Sequence, residues 1–190
     1  MAATGLEGAA PSTGIRPATA ADLDRLIDVI WSVAAEGRWL GTQVPFDRDA
    51  RRAMLEAALA AESSTILVAE AASASASESA SESASAAGRG SAVIGDVTVR
   101  LAPYGVADLS MMLLDGWRGR GIGTALLDAG IEWARAAGAH KVALEVWPHN
   151  EPALRLYRRA GFVEEGRKRR HYRRANGELW DAILMGLPLS

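Results

Sequence analysis

The chain has 190 residues, 49% of them hydrophobic, and its 21 basic and 23 acidic side chains leave a net charge of −2; that is one domain's length with enough apolar material for a core, and a charge balance that does not call for nucleic acid or an anionic membrane as partner. It has no cysteine, which excludes disulfides, thiolate metal sites and a cysteine nucleophile, and its three histidines, His140, His149 and His171, lack zinc-site spacing, so no metal is expected. No apolar run of about 18 residues suggests a membrane span and the N-terminus has no leader pattern, so a cytoplasmic protein is the expectation.

Residues 1–13 are small and Gly/Ala/Ser/Thr-rich and read as a disordered tail, leaving 14–190 as a single domain. Ile15 to Ala18 starts a short strand, with Pro17 placing it at an edge. Thr19 suits a helix N-cap with Asp22 in the first turn, and Leu23, Leu26, Ile27, Ile30, Val33 and Ala34 recur at helical spacing, predicting a helix over 20–36. Gly37 to Pro45 breaks the pattern. Asp47 then caps a second helix whose apolar positions include Met54, Leu55, Ala58 and Leu59. The β-branched run Thr65 to Ala69 reads as a strand.

Residues 71–92 alternate Ala and Ser around two glutamates and present no apolar stripe; they read as a flexible low-complexity insert. Val93 to Leu101 resumes as a strand, so the insert joins the two strands of a hairpin, which loop-closure entropy tolerates. Leu109 to Leu114 is apolar and reads as a central strand. After the Gly/Arg loop 116–123 comes a helix with Ile122, Leu126, Ala129 and Trp133 on its buried face and Asp128, Glu132 and Arg135 outside, stopped by Gly138. Lys141 to Trp147 is the next strand. Asn150 precedes a short helix with Pro152 in its first turn. Phe162 to Arg174 and Glu178 to Leu187 flank Asn176-Gly177, a hairpin signal. The order β-α-α-β-β-β-α-β-α-β-β predicts an α+β fold: a mixed, largely antiparallel twisted sheet of about seven strands with about four helices.

The chemistry concentrates in two segments. In the first, Arg118-Gly119-Arg120-Gly121-Ile122-Gly123-Thr124 lies between a strand and a helix. Glycines let the backbone approach an anion, and the unpaired N–H groups of the helix start favour negative charge, so a pyrophosphate is the natural guest. The pattern is neither a Walker loop nor a dinucleotide fingerprint. A tight turn with solvated arginines is the alternative. The second segment is Asn150-x-x-Ala153-x-x-x-Tyr157-x-x-x-Gly161-Phe162, about thirty residues downstream.

Together the two segments resemble the GNAT acetyltransferase superfamily, over 14–187 by element order and 109–162 by motif. The stretch from Leu144-Glu145-Val146 to Phe162 is most similar to ribosomal-protein alanine acetyltransferases and to amino-acid or polyamine acetyltransferases. The resemblance implies a sheet splayed at the cofactor site and acetyl-CoA as acyl donor, with an amine as acceptor. Backbone groups of Met112, Leu113 and Leu114 would hold the pantetheine arm and polarise the thioester. Residues 118–124 would cradle the pyrophosphate. Asn150 would bond the cofactor arm, Ala153 would leave it room, and Tyr157 would protonate the leaving thiolate. Glu145 matches the position of a general base in some relatives.

Each of these residues has a plainer reading. Asn150 can be a helix cap, Tyr157 an amphipathic core residue, and Glu145 one half of an ion pair with an arginine. The basic stretch Arg167-Lys168-Arg169-Arg170 with Arg173-Arg174 reads as a solvated edge strand or as an attractor of acidic groups. Trp39 and Phe46 fall where relatives line the acceptor cleft, or else pack in the core. The competing functions are a non-catalytic acyl-CoA sensor and a nucleic-acid-binding module; the acceptor and a homodimeric state are left open.

Overall fold

The computed structural model describes residues 13–72 and 91–189. Along the chain run β1 (Thr13–Pro17), α1 (Leu23–Ala35), α2 (Arg48–Ala60), β2 (Ser64–Ala72), β3 (Ser91–Ala102), β4 (Val106–Leu113), α3 (Ile122–Ala136), β5 (Lys141–Val146), α4 (Glu151–Arg159), β6 (Val163–Arg173) and β7 (Leu179–Pro188). The predicted element order therefore holds. The strands form one seven-stranded sheet in the order β1-β2-β3-β4-β5-β7-β6. Every neighbouring pair is antiparallel except β4 with β5.

Local chemistry explains most boundaries. The Asp22 carboxylate reaches back to the Thr19 N–H at 2.7 Å and is clamped by Arg16, so the first turn, 20–22, is a tight 3-10 turn and α1 begins at Leu23 rather than 20. Asp47 accepts from the N–H groups of Asp49 and Ala50, capping α2 as its sequence indicates. Gly138 follows α3 at φ +81°, and Gly177 turns the β6–β7 hairpin at φ +87°.

Several expectations are corrected. Residues 71, 72, 91 and 92 belong to the β2–β3 hairpin, with Ala72 opposite Ser91, and Thr13, expected in the 1–13 tail, pairs in β1 opposite Ala71; the rest of the low-complexity segment and of the tail lies outside the described residues. Strand β4 starts three residues early, at Val106, because a turn over Pro103–Gly105 returns the chain directly onto β3. It is central but not buried on both faces, since Asp108 and Ser110 are exposed. The buried stripe of α3 is also rotated from the predicted one. Leu126, Leu127, Gly130, Ile131 and Ala134 are buried, whereas Ala129 and Trp133 only flank the core. Gly130 causes this: a Cβ there would meet Val97 at 3.0 Å, Leu109 at 3.1 Å and Val99 at 3.2 Å, so the helix rests on the sheet at its glycine.

The core divides between the two faces of the sheet. Leu26, Val29 and Val33 of α1 pack on Ile66, Val68 and Val93, with Leu55, Ala58 and Leu59 of α2 flanking them. On the other face α3 and α4 pack over β2, β3, β4, β5 and β7, where a side chain as buried as Leu126 contributes ~2 kcal/mol. One polar group interrupts this core. Asp96 of β3, opposite Val68 and Met112, is 3% exposed. Its Oδ2 accepts from the Thr98 hydroxyl at 3.1 Å and its Oδ1 has no partner among the described residues.

Candidate active site

The parallel pair opens the sheet. β4 and β5 are in register only at Val106–Lys141, Ala107–Val142 and Asp108–Ala143, and beyond these the strands part. On its other side β4 stays paired with β3 up to Leu113 opposite Gly95, and the Leu114 N–H then donates to the Ile94 carbonyl at 2.9 Å. An antiparallel ladder alternates, so Met112 and Leu114 direct their backbone groups at β3 while Met111 and Leu113 direct theirs into the gap. Of the three residues expected to offer backbone groups there, Met112 and Leu114 face β3 and Leu113 faces the gap, where Met111 joins it. Which parity faces the gap depends on the β3 register, and that is not written in the sequence of β4.

A cleft of about 430 Å³ lies along this gap, walled by Met111, Met112 and Leu113, by Gly119, Gly121, Gly123 and Thr124, and by Asn150, Ala153 and Tyr157 of the α4 segment. The two motif segments thus come together. Gly119 and Gly121 have φ +74° and +82°, the left-handed region that glycine favours, and the space beside both is open. Gly121 precedes α3 as its N-cap. The N–H groups of Gly121, Ile122, Gly123 and Thr124 have no partner among the described residues, so the positive end of α3 faces the cleft bare.

Not every loop residue takes part through its side chain. Ile122 is buried in the core, and Arg120 lies over the Trp117 ring at 5.4 Å rather than over the cleft. Arg118 lines the cleft, but its fork binds Glu36, with Nη1 and Nη2 at 2.7 and 2.5 Å, and its Nε donates to the Leu113 carbonyl at 3.0 Å. Leu114 lies outside the lining and packs between the two halves of the core.

Asn150 does cap α4: its side-chain oxygen accepts from the Ala153 N–H at 3.3 Å. Both residues also line the cleft, so the cap and a ligand contact are compatible. Tyr157 is 7% exposed, stacks obliquely on Phe162 and has no hydrogen-bond partner among the described residues. Burial pushes its phenol up to about 12. Arg155 and Arg159 of α4 also border the cleft. Their i, i+4 spacing on the helix of Tyr157 puts both on one helix face, a signal the sequence itself carries outside the motif.

Glu145 is not part of this wall. It sits at an exposed position of β5, where Lys168 donates to Oε1 at 2.5 Å and the Tyr172 hydroxyl to Oε2 at 2.6 Å. The expected arginine partner is thus a lysine with a tyrosine. Burial works to raise the Glu145 pKa, but these two donors outweigh it and the carboxyl ends below its ordinary value. Strand β6 is at the sheet edge, and half of the basic stretch is engaged: Lys168 pairs with Glu145, whereas the side chains of Arg169, Arg170 and Arg173 have no hydrogen bond or ion pair among the described residues. Arg167 pairs with Asp181 at 3.1 Å, and the buried Arg174 donates to the carbonyls of Leu40 and Gly41 at 3.1 and 3.0 Å. Arg174 thereby ties the 36–47 loop to the β6–β7 hairpin. Of the two loop aromatics, Trp39 lines the cleft, whereas Phe46 packs on Trp31 at 5.1 Å.

Residues 34–162 match the model of the acetyltransferase (GNAT) family, a span that covers both motif segments and the gap. The chain belongs to the GNAT acetyltransferase family. It is 31% identical over 155 residues to an L-methionine sulfoximine/L-methionine sulfone acetyltransferase of Pseudomonas paraeruginosa, covering 82% of this chain and 83% of the relative. A shorter match, 44% identical over 82 residues, is to an N-alpha-acetyltransferase of Sulfurisphaera tokodaii; it covers 43% of this chain and 47%, about half, of that relative. Among solved structures, spermidine N-acetyltransferase of Vibrio cholerae in complex with CoA and spermine superposes with a TM-score of 0.73 at 18% identity, over 93% of this chain and 95% of that one. That likeness establishes the shared fold. Among the described residues no three His, Asp or Glu side chains gather as a metal site, and no helix is long and apolar enough to cross a membrane.

Proposed function

We propose that this GNAT-family chain transfers an acetyl group from acetyl-CoA to a primary amine by direct attack in a ternary complex. The observation that carries the reading is that three features share one cleft: the bare N-terminus of α3, the unpaired edge of β4 and the Tyr157 ring. Bound acetyl-CoA would supply the thioester, an activated acyl group with a sulfur leaving group. The N–H groups of Gly121 to Thr124 would hold its pyrophosphate, and the open space beside Gly119 and Gly121 fits that guest. Met111 and Leu113 would bond the pantetheine arm along the open strand edge. The Leu113 N–H would donate to the carbonyl oxygen, where negative charge grows as the amine adds. Asn150 and Ala153 would border the arm.

Tyr157 is suited to one part of the proton traffic. With its pKa raised to about 12 it stays protonated at physiological pH. The thiolate of a thiol with pKa about 8.5 is a weaker base than this phenolate, so complete proton transfer from the phenol to it would run ~5 kcal/mol uphill. Tyr157 therefore donates a hydrogen bond to the departing sulfur, and the proton lost by the amine ends on that sulfur. Glu145, held ionised by Lys168 and Tyr172, is a weak base near neutrality and acts as an ion-pair partner.

The acceptor is a small amine, an amino acid or a protein N-terminus. A relative that matches this chain over 83% of its own length is named for two amino-acid analogues, which puts amino acids first in a panel. The test is incubation with acetyl-CoA and amino acids, polyamines and short peptides, reading free thiol. Release that depends on one amine class supports the reading. CoA binding by calorimetry with no amine-dependent release would favour an acyl-CoA sensor instead.

A further inference from the structure

Glu36 closes α1 at its C-terminal end. A carboxylate there faces the negative end of the helix dipole, so helix formation gives no reason for it. Its partners do. Glu36 Oε1 accepts from Arg118 Nη2 at 2.5 Å, and Oε2 accepts from Arg118 Nη1 at 2.7 Å and from the Trp39 indole N–H at 2.5 Å. Arg118 spends its remaining kind of donor, Nε, on the Leu113 carbonyl at 3.0 Å. Trp39, Arg118 and Leu113 line the cleft, and Glu36, outside the lining, bonds to the first two. One carboxylate therefore joins the loop after α1 to the end of β4, the strand edge that faces the gap.

We propose that Glu36 is a positioning residue for acyl transfer, which through Arg118 sets the orientation of Leu113 at the end of β4 and at the same time fixes the Trp39 wall, so that the acceptor side and the acyl side of the cleft are held in one register. The inference rests on the acetyl-transfer reading. Leu113 lies where the ladder to β5 has ended, so no neighbouring strand on that side fixes its peptide groups. The Arg118 Nε bond replaces that missing restraint. It also occupies the Leu113 carbonyl, leaving the Leu113 N–H as that residue's free group in the gap. Arg118 is the main cause that holds the Glu36 carboxyl below its ordinary range, so the carboxylate that grips the fork stays ionised through the working pH range. The side chains of Arg118 and Glu36 are 32% and 27% exposed, a setting in which an ion pair adds little stability, so its loss should be read in function rather than in folding.

The test uses the full chain and the best amine from the acceptor panel. Glu36→Gln keeps the length of the side chain and removes the charge that holds the fork. Expected are a melting temperature within 2 °C of wild type and a CoA Kd within about threefold by calorimetry, because backbone N–H groups of the 121–124 turn hold the pyrophosphate. Against that background kcat should fall by tenfold or more and the amine KM should rise. The double variant Glu36→Gln with Arg118→Gln should lose no more kcat than Arg118→Gln alone, since Glu36 acts through Arg118. A Glu36→Gln enzyme with kcat within twofold of wild type overturns the proposal, and so do additive losses in the double variant. A wild-type chain that binds CoA but acetylates no amine overturns the underlying acetyl-transfer reading, and this inference with it.

Discussion

Asp96→Asn should change how stability depends on pH. The carboxyl is 3% exposed, lies between Val68 and Met112 under α1, and has one oxygen without a partner among the described residues. Burial pushes its pKa from 3.8 to about 7, and the Thr98 hydrogen bond offsets only part of that. The folded state thus holds the proton more tightly than the unfolded chain does. Stability from this group is complete below pH ~4 and falls as pH rises, until the folded carboxyl itself ionises near 7. A pKa change of this size corresponds to ~4 kcal/mol, a large part of the 5–15 kcal/mol typical of a domain. Asparagine does not titrate, so the variant should lack this fall, although its amide carries its own cost in a site with one good partner. The assay is urea unfolding of both proteins at several pH values from 4 to 8. The difference between them should shift by several kcal/mol in favour of the variant as pH rises. Parallel stability curves would refute the argument and place a compensating group beside Asp96.

Tyr157→Phe should leave CoA binding intact and lower kcat roughly 10- to 100-fold, the loss of one hydrogen bond to a developing charge, measured where chemistry limits the rate. An unchanged kcat would remove the phenol from the reaction. Gly121→Glu should abolish the rise in melting temperature that CoA produces, because φ +82° strains any side chain there and the carboxylate would stand at the anion site. A retained shift would move the pyrophosphate elsewhere. Glu145→Gln should preserve the pH–rate profile and lose at most ~1 kcal/mol of stability, given that the side chains of Lys168 and Glu145 are 34% and 37% exposed and the pair is partly screened by water. The Glu145 contribution is present at neutral pH and disappears as pH falls through its lowered pKa, so the two proteins should converge in acid. Displacement of the acidic limb of kcat in the variant would restore Glu145 as the base.

The glycine loop was legible because left-handed φ values leave few residue choices, and the Asn150–Tyr157 series because its members share one short helix and its cap. The hairpin at Asn176-Gly177 was legible for the same local reason. What depended on partners far along the chain was not. Arg118 reads as a phosphate ligand until Glu36, 82 residues earlier, takes its fork. Glu145 invites an arginine, and the strand register supplies Lys168. The buried face of α3 was misplaced because periodicity weights the large Trp133, whereas the close contact is made by Gly130, whose value is the side chain it lacks. Asp96 sits in a run of β-branched residues that reads as a strand on either face, so its burial emerges only when α1 covers it.

The three-pair ladder between β4 and β5 has a mechanical consequence. In hydrogen-bond terms the sheet is two leaves, β1 to β4 and β5 to β7, stitched at one end. The stitching is short beside the six pairs that join β5 to β7, so the leaves are held together mainly by the side chains beneath α3 and α4. Apolar packing is not directional and permits small relative rotations that a full ladder would forbid. The free chain can therefore breathe along this seam, with an open strand edge in its middle. A ligand that bonds to Met111 and Leu113 while touching α4 bridges both leaves and acts as mortar. Amide exchange should slow on occupancy on both sides of the seam, including in β7, which such a ligand would not touch.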